Sequence, residues 1–179
     1  MALVLVGYRG TGKSSVAPLV ARSLGWPWLD MDCVLAERAG RSIRELFATE
    51  GEAGFRRREA ALLEELATQE PLVLAAGGGI VLWEENRRRL EPLPVVWLRA
   101  SPSTIHQRLR RDPRTSLDRP PLTPLSERAE IELLLREREP LYRAVAKLCI
   151  DTDELAIEAI AERIVRWIRS RTAAQPARE

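Results

Sequence analysis

Several groups of residues in this chain have the types and spacing that phosphoryl chemistry uses. Gly7-Tyr8-Arg9-Gly10-Thr11-Gly12-Lys13-Ser14 fits G-x-x-x-x-G-K-[ST] without a mismatch. Glycines let such a loop wrap closely round an anion, so that its N–H groups and the following helix N-terminus point at phosphate oxygens. Lys13 is spaced to reach the β- and γ-phosphates and the Ser14 hydroxyl to take a place on Mg²⁺. The chain is rich in arginine and has only two lysines, Lys13 and Lys147. A nucleoside triphosphate site is the reading.

The second group is Asp30-Met31-Asp32, at the end of an apolar run. Ligands of open α/β sheets sit beyond the carboxyl ends of the strands. Alternation along a strand puts residues i and i+2 on one face, so both carboxylates are expected to point at the nucleotide. One would hold the metal's water shell and the other accept a substrate hydroxyl; the plainer alternative is that one caps the next helix. The third group is arginine. In Phe55-Arg56-Arg57-Arg58-Glu59 a 100° step puts Glu59 and Arg56 on the face of Phe55, Leu62, Leu63 and Leu66, and turns Arg57 and Arg58 to solvent. Arg138 shares a stripe with Leu134, Leu141 and Val145, and Pro140 just beyond it predicts a kink. Gly77-Gly78-Gly79 leaves bare backbone at another strand end. Inward guanidiniums, a carboxylate and free N–H groups describe a pocket for a small polyhydroxylated acid, since arginine's planar fork matches a carboxylate bidentately.

Elements must hold these groups together. Short apolar runs at about 2–6, 27–30, 72–76, 95–98 and 148–151 read as strands buried on both faces of a parallel sheet. Helical patterns fit at about 13–24, 42–49, 53–68, 84–90, 103–111, 126–146 and 153–171, with a capping box at Ser42 to Glu45. The helix-rich stretch 31–70 reads as an inserted substrate-binding region. Residues 112–124 hold four prolines and no apolar period, which reads as a surface loop and, by its length, a lid. At 179 residues one domain is expected, and a net charge of +2 gives no reason to expect nucleic acid or a membrane as partner. Two cysteines, Cys33 and Cys149, are too few for a disulfide framework, and with no leader pattern the expectation is a cytoplasmic monomer. His106 reads as a surface residue.

Taken with Gly40-Arg41-Ser42-Ile43, Phe47 to Glu52, Arg119-Pro120 and Arg138-Glu139-Pro140-Leu141-Tyr142, these motifs resemble shikimate kinase, from the nucleoside-monophosphate-kinase branch of P-loop proteins. The pieces stand in the family's order over about residues 3 to 151. The resemblance implies a three-layer α/β/α sandwich, its five-stranded parallel sheet ordered 2-3-1-4-5. It implies ATP as co-substrate along Gly10, Thr11, Gly12, Lys13, Ser14 and Ser15, with Arg111 on adenine and Arg119 as the lid arginine; Arg110 and Arg114 are their neighbouring alternatives. It implies shikimate held by Asp32, Arg56, Gly78, Gly79 and Arg138, with Glu59 orienting Arg56, and Mg²⁺ at Ser14 and, through water, Asp30. Catalysis would rest on Lys13, Asp32 and Arg119. Two departures stand out. The lid stretch from Asp112 to Asp118 is longer than the family's compact form, and Ala75-Ala76 precede the glycines where relatives often have a hydroxyl. A gluconate or nucleoside monophosphate kinase of the same fold is the alternative.

Overall fold

The computed structural model describes residues 1–111 and 125–173. The segment 112–124, with Arg114 and Arg119, and the tail from 174 lie outside the described residues.

The strands are β1 (Ala2–Val6), β2 (Trp28–Asp30), β3 (Leu72–Ala75), β4 (Val95–Arg99) and β5 (Leu148–Asp151). They form a parallel sheet in the order β2-β3-β1-β4-β5, as expected. The register sets Val4 opposite Leu74 and Val95. Strand parity sorts the core into two layers, because successive side chains leave a strand on opposite sides. Val4, Leu74, Val95 and Trp97 meet Met31, Leu46, Phe55, Leu63 and Tyr142 on one side. Leu3, Leu5, Val73, Val96 and Leu98 meet Val16, Val20, Ile160 and Ile164 on the other. Burial on both faces holds for β1, β3 and most of β4, but not for the outer strands: β2 and β5 lie at the edges and only Ile150 among them is buried.

The described helices are α1 (Lys13–Leu24), α2 (Met31–Ala39), α3 (Ile43–Ala67), α4 (Glu84–Leu90), α5 (Pro102–Arg111), α6 (Glu127–Val145) and α7 (Ile157–Ala173). Two of them correct the sequence reading. Helix α2 begins directly after Asp30, so Asp32 belongs to a helix's first turn and not to a strand. Helix α7 starts at Ile157, four residues later than its pattern suggested. The two helices expected over 42–68 are one element interrupted at Gly51, whose φ of 67° and ψ of 178° only glycine adopts readily. Its first limb starts at the predicted capping box: the Ser42 hydroxyl accepts from Glu45 N at 3.2 Å and the Glu45 carboxylate accepts from Ser42 N at 2.7 Å. Helix α6 continues through Pro140, as its pattern over 126–146 predicts. Pro140 and Arg136 are both exposed, so water can serve the Arg136 carbonyl left without its helical donor.

A third cluster joins Tyr8 to Ile105 and Leu109 of α5 and Ile131, Leu134 and Leu135 of α6. It seats both helices against the loop after β1.

Candidate active site

The loop from Gly7 to Gly12 runs from β1 into α1, as a phosphate loop requires. Gly12, in the left-handed region at φ 95°, precedes the first turn and leaves its N–H groups uncapped by any side chain. The Lys13 ammonium is buried and donates to the carbonyls of Gly7 (2.8 Å) and Tyr8 (2.9 Å). The Lys13 ammonium thus also ties the loop together. The Ser14 hydroxyl donates to Asp30 Oδ2. Asp30 Oδ1 meanwhile accepts from the N–H groups of Asp32 (2.9 Å) and Cys33 (3.4 Å), capping α2. Asp30 thus caps α2 with one oxygen and turns the other to Ser14 at the phosphate loop. Hydroxyl and carboxylate oxygens side by side are hard donors that suit Mg²⁺, which takes one or two carboxylates and keeps several waters.

Beside the loop a cavity opens to solvent. It brings together Asp32, Arg56, Glu59, Gly77, Gly78, Gly79 and Arg138, residues from the ends of β2 and β3 and from α3 and α6. Asp32 arrives through the first turn of α2, not by strand alternation. Arg56 and Glu59 are 5% and 1% exposed and joined at 2.7 Å, while Arg57 and Arg58 lie in solvent. The helical phase therefore divides the run as predicted. Burial pushes the Glu59 carboxyl above the usual carboxylate range, and the Arg56 guanidinium beside it pulls it back. Glycine is required at 79, where a methyl group would fall inside the Arg56 guanidinium. A Cβ on Gly78 would stand 3.4 Å from Arg9 N and 3.5 Å from the Gly7 carbonyl. The glycine turn is thus wedged between the phosphate loop and Arg56. Arg138, 5% exposed, reaches the Gly78 carbonyl at 3.4 Å.

Sequence reasoning passed over several residues here. Arg9 lines the cavity and pairs at 2.8 Å with Glu130, itself 1% exposed. Tyr8 is buried with the guanidiniums of Arg9 and Arg138 over its ring, at 5.8 Å and 5.7 Å from the centroid. Phe47 and Phe55 stack at 4.5 Å along the cavity wall. Both Tyr8 and Arg9 occupy unspecified positions of the phosphate-loop pattern, and Glu130 looks like one charge among many on α6. Arg108 of α5 donates to the carbonyls of Gly10 (3.4 Å) and Thr152 (2.6 Å), tying the phosphate loop to the end of β5. Arg110 and Arg111 are exposed at the end of α5, and His106 stands 3.4 Å from Glu127, away from the cavity. No described helix is long and apolar enough to cross a membrane.

The sequence model of shikimate kinase matches residues 9–169. A shikimate kinase of Rhodopirellula baltica is 43% identical over 92% of this chain and 88% of its own length. One of Moorella thermoacetica is 41% identical over 95% and 98%. Among solved structures, a shikimate kinase from Acinetobacter baumannii in complex with shikimate superposes with a TM-score of 0.88 at 36% identity, covering 95% of this chain and 93% of that one. A gluconokinase from Sinorhizobium meliloti covers 98% of this chain and 97% of its own at a TM-score of 0.63 and 20% identity, a likeness of fold alone. With its phosphate loop, its paired buried arginines and this degree of identity, the chain belongs to the shikimate kinase family.

Proposed function

We propose that this cleft transfers the γ-phosphoryl group of ATP to the 3-hydroxyl of shikimate, giving shikimate 3-phosphate and ADP. The observation that carries the proposal is the placement of two buried guanidiniums, Arg56 and Arg138, around a bare glycine turn that abuts the phosphate loop. Their forks suit the shikimate carboxylate, and the Gly78 and Gly79 N–H groups suit its ring oxygens. Glu59 holds Arg56 at the angle this needs. Asp32 accepts a hydrogen bond from the 3-hydroxyl and keeps it in line with the phosphorus. Because the transition state is loose, this hydroxyl needs orientation more than early deprotonation.

Gly10, Thr11, Gly12, Ser14 and Ser15 receive the triphosphate with backbone N–H groups and hydroxyls. Lys13 then leaves the Gly7 and Tyr8 carbonyls for the β- and γ-phosphate oxygens. Ser14, with Asp30 through water, would hold Mg²⁺, which supplies charge neutralisation across those oxygens. Arg111 is assigned to adenine, and Arg119, outside the described residues, to the charge on the transferring group. Residues 31–70 act as the acid-binding region and 112–124 as the lid of one kinase domain. A cytoplasmic monomer completes the reading, its location supported by the free thiols of Cys33 and Cys149, as a reducing compartment leaves them. A coupled assay of ADP release over shikimate, gluconate, AMP and CMP tests it: turnover is expected with shikimate, and turnover with another acceptor alone overturns the substrate.

A further inference from the structure

The Gly79 N–H, assigned above to shikimate, has no side chain of its own to aim it, and three glycines in a row leave the peptide planes free to turn. Something outside the turn must fix them. Tyr142 of α6 is fully buried, with its ring stacked on Trp97 of β4 at 5.8 Å between centroids and 26° between planes. Its hydroxyl donates to the Gly78 carbonyl, the same oxygen that Arg138 reaches. Burial raises the Tyr142 hydroxyl well above the ordinary phenol range, so it stays a donor at any working pH. The Gly78–Gly79 peptide is trans, and a trans peptide points its C=O and N–H in opposite directions. Holding the carbonyl against Tyr142 therefore turns the Gly79 N–H away from that side of the turn. Among the described residues neither the Gly78 nor the Gly79 N–H donates to a protein acceptor, although both glycines line the cavity.

We propose that Tyr142 is a positioning residue for the acid substrate: from beneath the cavity, its hydroxyl sets the Gly78–Gly79 peptide plane so that the Gly79 N–H is presented to a shikimate oxygen. Trp97 holds the ring that carries this hydroxyl, so β4, α6 and the turn after β3 act together on one donor. The proposal rests on the assignment of Gly79 and Arg138 to shikimate, and it adds a residue that touches neither substrate.

Tyr142→Phe keeps the ring and its stack and removes only the hydroxyl. Loss of one aimed neutral donor should raise KM for shikimate about threefold to tenfold while KM for ATP stays within about twofold. A purely structural hydroxyl would instead lower Tm and leave both KM values where they were, and that result overturns the proposal. So does a rise in both KM values together. Trp97→Phe, which keeps the hydroxyl but loosens its ring, should give a smaller rise confined to shikimate; no rise there counts against the proposal even should Tyr142→Phe fail to fold. Arg138→Lys separates the two levels of inference. A raised shikimate KM in that variant with none in Tyr142→Phe removes Tyr142 alone, whereas no change in either removes the pocket assignment as well.

Discussion

The two halves of the cleft are built differently. The phosphate half is eight consecutive residues between one strand and one helix, and its ligand groups are mostly backbone N–H. The acid half draws Asp32 from α2, Arg56 and Glu59 from α3, Gly79 from the turn after β3 and Arg138 from α6. A contiguous loop is specified locally and tolerates change around it. A pocket assembled from four elements depends on each buried charge finding its partner, because a buried guanidinium left alone is costly. The first half should therefore fail through single groups that touch phosphate, and the second through loss of partners.

Lys13→Ala should give the largest effect and also blurs the contrast. On the proposed assignment its ammonium supplies charge to the transferring group, so its removal should reduce kcat on the order of 10²–10³-fold or more. The same ammonium bridges the Gly7 and Tyr8 carbonyls in the ligand-free loop. Melting curves should therefore show a loss of about 1.5–3 kcal/mol, the scale of hydrogen bonds to a charged group. Full stability with no turnover would restrict Lys13 to chemistry; near wild-type turnover would remove the phosphate-loop assignment.

Arg56→Ala comes next. It takes a bidentate donor from the substrate and leaves Glu59 buried without its partner, and should weaken shikimate binding by about 2–5 kcal/mol. Titration with shikimate measures this, and nucleotide affinity should change far less. Equal losses for both ligands would mean that the two halves are one unit. Arg58→Ala probes the same helix two residues on. Arg58 also meets a glutamate, Glu50, through two bonds at 2.7 and 2.8 Å, but it stands 47% exposed. Solvent screening limits such a pair to about 0–1 kcal/mol. Neither Arg58→Ala nor Arg57→Ala should alter shikimate affinity measurably.

The strand, loop and helix start of the phosphate half were legible in the sequence, because one pattern fixes all three together. It also separated Arg56 from Arg57 and Arg58, since helical phase acts within a single element. It failed where two elements meet. Strand alternation carries Asp32 onto the face of Asp30, yet Asp30 caps a helix at once and changes the geometry of everything after it. Arg9 and Glu130 are 121 residues apart and nothing local joins them; only the packing of α6 on Tyr8 makes their pair.

A second local signal within the assembled half is the capping box that starts α3, where the expected effect is on stability and not on binding. Glu45 accepts from Ser42 N and from the Ser42 hydroxyl, and these bonds hold its carboxyl below the ordinary carboxylate range. A carboxylate depressed in the folded state binds its proton later than in the unfolded chain as pH falls. Its contribution to stability is therefore complete above the ordinary carboxylate pKa and is lost as pH drops through the folded value. Glu45→Gln should be slightly less stable than the parent at pH 7, and the gap should narrow as both are taken into the acid range. Chemical denaturation at a series of pH values reads this difference directly. Ser42→Ala, which removes the other arm of the box, should lower stability by about 1 kcal/mol. Neither change should move KM for shikimate, because the first limb of α3 gives the cavity only the apolar walls Ile43 and Phe47, while Arg56 stands on the limb beyond Gly51. A shift in that KM would show that the limbs move together across the Gly51 break, so that the cap at one end sets the position of Arg56 at the other.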